Sequence, residues 1–362
     1  MSDRTRIGIL TGGGDCPGLN TVIAAVARAS ARRGWETVGL IGGFEGLLAP
    51  VQHRVLDSTL MEGVRFEGGT ILRTSNRGRF AAKVGHGEAK RIPTDILDEA
   101  RQSFEALGLR ALVCVGGDGS LSIAQQLFEH GVPLVGVPKT IDNDLDATAM
   151  TFGFDTAVAM ATDALDRLRT TAESHDRVMV LEVMGRYAGW IAIYAGVAGG
   201  ADAVLIPEIP FSYDSVCEKI AERERAGMHY SLVVVAEGAT ERGGGYVEAA
   251  DQSEDREARL GGIAARVSRE IARRTGKESR ECVLGHLQRG GMPSNFDRAL
   301  CTLFGTKAVE LIAEGRYGEM VSFAPPQMTS VPIAQAIGRL RRVDLGGTLV
   351  RSARALGTCL GD

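Results

Sequence analysis

Val132-Pro133-Leu134-Val135-Gly136-Val137 runs directly into Pro138-Lys139-Thr140-Ile141-Asp142-Asn143-Asp144. The apolar half reads as a buried strand. Two carboxylates, a lysine and a threonine then gather at its C-terminal end, the edge of an open parallel sheet where ligands sit. The pattern occurs twice more. Ala111-Leu112-Val113-Cys114-Val115 ends in Gly116-Gly117-Asp118-Gly119-Ser120, and Ile7-Gly8-Ile9-Leu10 ends in Thr11-Gly12-Gly13-Gly14-Asp15. Glycine loops, carboxylates and a lysine at strand ends suit phosphate groups and a divalent metal.

Outward from these strands, strand-like and helix-like segments alternate almost throughout. Helices are predicted over 19–33, 94–107, 120–129, 154–171, 213–224, 260–275 and 295–314. Further strands are predicted over 35–41, 177–183, 201–206 and 231–236. Ser120 suits the N-cap of its helix. Residues 42–93 read as irregular, and residues 241–257 as a solvated loop. The βαβα order implies an α/β protein of two doubly wound, Rossmann-like parallel-sheet domains with helices on both faces and a cleft between them. At 362 residues the chain is long for one core and suited to two domains.

Hydrophobic content of 44% and charged content of 24% mark a globular protein, and a net charge of −4 gives no global basic field for nucleic acid. The six cysteines form no C-x-x-C pair, so reduced thiols and a cytoplasmic location are expected. The N-terminal residues lack the apolar region of a signal peptide. No apolar run approaches the roughly 20 residues that span a bilayer, so no membrane partner is expected.

Each motif has a bland reading beside the chemical one. Gly12-Gly13-Gly14-Asp15-Cys16-Pro17-Gly18 precedes a helix and can present backbone N–H groups to phosphate, or can be a tight turn. It fits neither G-x-x-x-x-G-K-[ST] nor G-x-G-x-x-G. Asp118 suits Mg²⁺, or simply the start of the next helix. Asp142 is the candidate base for an alcohol attacking a phosphoryl group. Asp144 would orient the hydroxyl or help hold the metal, while an Asx-turn is the alternative. In Met184-Gly185-Arg186-Tyr187-Ala188-Gly189-Trp190, Arg186 is placed to meet a phosphate or hydroxyl, or the glycines merely let a helix pack. Arg280-Glu281-Cys282-Val283-Leu284-Gly285-His286-Leu287-Gln288-Arg289-Gly290-Gly291 flanks a short strand with two arginines and a histidine, which suits an anion pocket.

Taken together, Gly13-Gly14-Asp15, Gly116 to Ser120, Pro138 to Asp144, Met184 to Arg186, Glu237, and Arg280 to Gly291 followed by Asp297-Arg298 resemble the 6-phosphofructokinases over essentially the whole chain. The resemblance implies Mg²⁺-dependent transfer from ATP to the 1-hydroxyl of fructose 6-phosphate, a step of glycolysis, with Asp142 as general base. Thr140, Asp144 and Arg186 would support the reacting groups. Gly13, Gly14, Gly116, Gly117, Asp118, Gly119, Ser120 and Lys139 would hold the donor, with Asp118 on the metal. Arg77, or Arg73, would supply a further cation there. Met184, Gly185, Arg186 and Glu237 would line the sugar, His286 and Arg289 would bind its 6-phosphate, and Arg177 and Arg280 would reach that phosphate from a neighbouring subunit of a homotetramer. The implied donor domain is 1–153 plus 288–338, and the sugar-phosphate domain is 154–287 plus 339–362.

Three departures from the common pattern bear on this. Gly119 resembles the ATP-type residue, whereas Lys139 resembles the pyrophosphate-type residue. ATP is the expected donor and pyrophosphate the alternative, because an aspartate at 119 would block a nucleotide phosphate whereas a lysine at 139 only adds compatible charge. Ala24 stands where an effector-site arginine is common, although Arg28 is kept, so the allosteric control the family implies is the less expected. The 42–93 region departs in length. A non-catalytic sugar-phosphate-binding regulatory subunit would be expected to lack Asp118 or Asp142, and both are present.

Overall fold

The computed structural model describes residues 4–57, 59, 61–75, 78–80, 91–247 and 260–362. The first apolar run becomes strand β1 (Arg6–Thr11), and the Ala-rich segment after the glycine loop becomes α1 (Leu19–Arg32). There follow β2 (Glu36–Leu40), β3 (His53–Val55), α2 (Met61–Val64), α3 (Thr94–Ala106), β4 (Leu109–Gly116), α4 (Asp118–Glu129) and β5 (Leu134–Pro138). Next come α5 (Phe154–Ser174), β6 (Val178–Val183), α6 (Trp190–Ala198), β7 (Ala203–Leu205), α7 (Tyr213–Arg225), β8 (Ser231–Ala236), α8 (Ile263–Thr275) and β9 (Ser279–Val283). The chain closes with α9 (Asn295–Ala313), β10 (Glu319–Ala324), β11 (Gln327–Pro332), α10 (Ile333–Ile337) and α11 (Thr348–Ala355).

The strands form a seven-stranded sheet in the order β11-β10-β5-β4-β1-β2-β3 and a four-stranded sheet in the order β7-β8-β6-β9. The smaller sheet is parallel throughout. The larger one is parallel from β10 to β2, and β11 and β3 join it antiparallel at its two edges. Antiparallel edge strands on a parallel sheet are common, because a short hairpin extends the edge without a crossover helix. The helix expected from Ser120 begins at Asp118, with Gly117 as its N-cap and no side-chain cap.

The chain divides into two compact units. One comprises Met1–Ile141, Leu145–Asp155 and Arg289–Leu340, and the other comprises Asp142–Asp144, Thr156–Gln288 and Arg341–Asp362. Each has its own core. In the first, Leu10, Leu40, Leu112, Leu121, Leu127, Leu134 and Met320 pack together fully buried. In the second, Val178, Val180, Val233, Val235, Phe211, Val267 and Ile271 do so. Complete burial of such a side chain is worth about 1.5–3 kcal/mol. In α8 the buried residues Ile263, Ala264, Val267, Ser268 and Ile271 recur at helical spacing, so one stripe faces the core while Arg269 and Arg273 are exposed.

Candidate active site

In the first unit, β1 and β4 are adjacent and parallel, with Thr11 opposite Val115, so their glycine loops leave the sheet side by side. The Gly12 N–H donates to the Val115 carbonyl at 2.8 Å. Ser120 fills the corner where the loops meet: a Cβ on Gly116 would lie 2.2 Å from the serine Cβ, and one on Gly12 would lie 2.6 Å from its Oγ. These two glycines therefore admit Ser120. No side-chain cap covers the first turn of α4, so its leading amides are oriented to meet an anion. Asp118 opens that helix and is exposed, and Gly119 follows it in the first turn.

Gly13 and Gly14 are held from three sides. The Thr74 hydroxyl donates to the Gly13 carbonyl at 2.6 Å, the Lys139 ammonium donates to the Gly14 carbonyl, and Arg289 Nη1 donates to the Asp15 carbonyl at 3.2 Å. A Cβ on Gly14 would lie 2.9 Å from Arg289 Nη1. Arg289, read from sequence as a sugar-phosphate ligand, is thus placed against the glycine loop of the first unit. Lys139 is buried at the end of β5, and burial pulls its pKa below the ordinary lysine value. The neighbouring Cys16 thiol is pushed up to about 12 by burial, which leaves it a neutral packing group. Arg73 sits in a left-handed conformation, and its carbonyl accepts from the Thr11 hydroxyl at 2.9 Å. Arg77 lies outside the described residues.

Past β5, the Thr151 hydroxyl donates to the Thr140 carbonyl at 2.7 Å, and Asn143 takes a left-handed conformation that turns the chain. Asp142 and Asp144 are half-buried and belong to the second unit, although the chain on both sides belongs to the first. The Arg341 N–H donates to the Asp144 carbonyl at 2.8 Å.

Met184, Gly185, Arg186 and Glu237 follow the C-terminal ends of β6 and β8, whereas Arg177 and Arg280 lie at the N-terminal ends of β6 and β9. The Glu237 N–H donates to the Val183 carbonyl at 2.9 Å, and the Gly238 N–H donates to the Gly185 carbonyl at 3.1 Å. A Cβ on Gly238 would stand 1.9 Å from the Arg186 carbonyl oxygen, so only glycine allows this close approach. Beside these strand ends is a cavity of about 580 Å³ lined in part by Glu182, Met184, Glu237, Gly262, Arg269 and His286. Among the described residues no group of three or more His, Cys, Asp or Glu side chains is arranged to hold a metal ion.

Arg177 and Arg280 meet on one carboxylate. Arg177 Nε lies 2.8 Å from Glu278 Oε2, and Arg280 Nη2 lies 2.5 Å from Glu278 Oε1. Parallel pairing of β6 with β9 sets Val178 opposite Ser279 and Met179 opposite Arg280, so Arg280 stands two residues further along the sheet than Arg177, and Glu278 reaches both. Sequence reasoning missed Glu182, Gln288, Gly238 and Arg269 as site-forming residues. Only Glu182 carried a visible signal, as a lone carboxylate inside the apolar run Val178–Val183.

Comparison with known proteins gives these features a lineage. Residues 6–312 match the family described as Phosphofructokinase. A Chloroflexus aurantiacus protein named ATP-dependent 6-phosphofructokinase is 51% identical over 361 residues, covering 100% of this chain and 99% of that one. An Amycolatopsis methanolica protein named pyrophosphate–fructose 6-phosphate 1-phosphotransferase is 47% identical, covering 93% of this chain and 96% of that one. The crystal structure of Pichia pastoris phosphofructokinase in the T-state superposes with a TM-score of 0.81 at 27% identity. That match covers 99% of this chain but 37% of the yeast one. The chain belongs to the phosphofructokinase family.

Proposed function

We infer that this chain transfers a phosphoryl group from ATP to the 1-hydroxyl of fructose 6-phosphate, yielding fructose 1,6-bisphosphate. The observation that carries this reading is the end-to-end match, at 51% identity, to a protein named ATP-dependent 6-phosphofructokinase. The residues fit it. In the first unit, the uncapped start of α4 and the glycine loop around Gly13 and Gly14 offer amides to the donor phosphates, with the Lys139 ammonium beneath them. In the second unit, Asp142 accepts the proton of the attacking hydroxyl, and Asp144 and Arg186 support the reacting groups. Met184 and Glu237 line the sugar, and His286 meets its phosphate. Arg289 lies against the glycine loop, which suits it equally to a donor phosphate.

Mg²⁺ fits this donor set through Asp118, an exposed carboxylate at a helix start, because Mg²⁺ commonly takes one or two carboxylates and completes its shell with substrate phosphates and water. The ion would neutralise charge on the donor phosphates. Arg177 and Arg280 would complete a neighbouring subunit's phosphate site in a homotetramer, which sedimentation equilibrium tests directly. No helix among the described residues is long and apolar enough to cross a membrane.

A second donor is favoured by one observation, the buried Lys139 ammonium under the glycine loop, together with the 47% identity to a pyrophosphate-using relative. Product formation from fructose 6-phosphate with ATP or pyrophosphate at equal Mg²⁺ separates the two. Turnover with ATP is expected, and turnover with pyrophosphate alone would overturn the donor assignment.

A further inference from the structure

The helix that walls the second unit's cavity has no cap of its own. Gly262, the N-cap of α8, is in a left-handed conformation and makes no side-chain hydrogen bond. Gly261 and Gly262 both line the cavity, and a Cβ at Gly262 would meet nothing within 4 Å. A serine or aspartate here would satisfy the orphan amides of α8 but would add a side chain to the wall. The capping is supplied instead by Glu182, 80 residues earlier in the chain. Its Oε1 accepts from the Gly262 N–H at 3.3 Å, and its Oε2 accepts from the Ala264 N–H at 2.9 Å.

Glu182 lies on β6, 3% exposed, in a strand otherwise made of Val, Met and Leu. A buried carboxylate in such a strand is costly unless its oxygens are satisfied, and the α8 amides and helix dipole do this. The same residue also holds the segment that leads to His286. Its backbone carbonyl accepts from the Leu284 N–H at 3.1 Å, immediately before the Gly285–Arg289 turn that carries His286. One residue later in the strand is Val183, whose carbonyl receives the Glu237 N–H.

We propose that Glu182 is a positioning residue for the sugar-phosphate acceptor: it caps α8 from β6, at the edge of the cavity, so the wall at Gly261–Gly262 stays free of side chains while keeping its place relative to Met184, Glu237 and His286. Each of its two oxygens is engaged by a backbone amide, and its proposed action on the acceptor runs through these neighbours. This rests on the reading of the cavity as the acceptor site.

The test is steady-state kinetics of Glu182→Ala and Glu182→Gln against both substrates, with melting temperatures recorded alongside. In the alanine variant KM for fructose 6-phosphate rises between about tenfold and a hundredfold, the range in which a misplacement near 1 Å acts, while KM for ATP stays within twofold. Glutamine keeps one carbonyl oxygen to accept from one of the two amides, and so recovers part of the loss. A purely structural role would lower the yield and melting temperature and would leave both KM values alone. That result in the glutamine variant, or equal changes in the two KM values, overturns the proposal. If alanine does not give folded protein, the glutamine variant decides alone. A parent protein inactive on fructose 6-phosphate would instead sink the underlying functional reading, so the two failures are distinct.

Discussion

The backbone N–H of Met184 donates to Gln288 Oε1 at 2.7 Å, and both residues are buried. The amide of Gln288 thereby fixes the point where β6 ends and the cavity begins. Replacing it with an apolar side chain of similar length, as in Gln288→Met, leaves the Met184 N–H without its acceptor. A buried donor left unsatisfied costs about 1–3 kcal/mol. Urea denaturation should show this loss, and KM for fructose 6-phosphate should rise with it. Unchanged stability would mean that water or a shifted carbonyl replaces the glutamine oxygen.

Asp142→Asn preserves the shape of the side chain and removes its ability to take a proton. Turnover should fall by about 10²–10⁴, the contribution typical of a positioned base, while fructose 6-phosphate affinity measured by calorimetry stays near that of the parent. A variant that loses affinity and turnover in equal measure would assign Asp142 to binding rather than to proton transfer.

Gly119→Asp separates helix stability from donor binding. A carboxylate in the first turn of α4 is favoured by the helix dipole, by about 0.3–1 kcal/mol at an exposed site. The melting temperature should hold or rise slightly. The same charge repels a nucleotide phosphate, so KM for ATP should climb at least tenfold. An unaltered ATP rate would remove the start of α4 from the donor site.

Lys139 gives a pH prediction. Burial lowers its folded pKa, so between that value and the ordinary 10.5 the unfolded chain holds a proton that the folded chain lacks. Unfolding free energy therefore rises with pH across this window, and the gain is lost as pH falls back through the folded value. Lys139→Met abolishes the term. The stability difference between parent and variant, followed by urea denaturation as pH is raised toward 10, should move in the parent's favour. A difference independent of pH would contradict a depressed lysine. Turnover with either donor should drop as well, because the ammonium beneath Gly14 is gone.

What could be read from the chain alone follows the strength of the local signal. The strands β1, β4, β5, β6 and β8 are apolar runs ending at glycine or polar turns, and they were legible within a residue or two. β3 was not: His53, Arg54 and Val55 are all exposed, so no burial pattern marks them. β10 and β11 are joined through Pro325-Pro326, and β11 mixes Thr329 and Ser330 with its apolar residues, so no strand was assigned to the hairpin. Ser120 looked like a helix cap because its residue type favours that role, yet tertiary packing against Gly12 and Gly116 claimed its side chain. Among the site residues, those with distinctive chemistry in distinctive runs were visible. Those that work through backbone geometry, such as Gly238 against Arg186 and Gln288 against Met184, required the fold.

The single carboxylate shared by Arg177 and Arg280 makes these two cations interdependent. An anion that recruited Arg280 would leave Glu278, now shared between the two, to Arg177 alone. Substituting either arginine therefore changes the charge environment of the other, and the double substitution should depart from the sum of the singles. The pair is better regarded as one adjustable cationic arm with an internal counterweight than as two separate hooks.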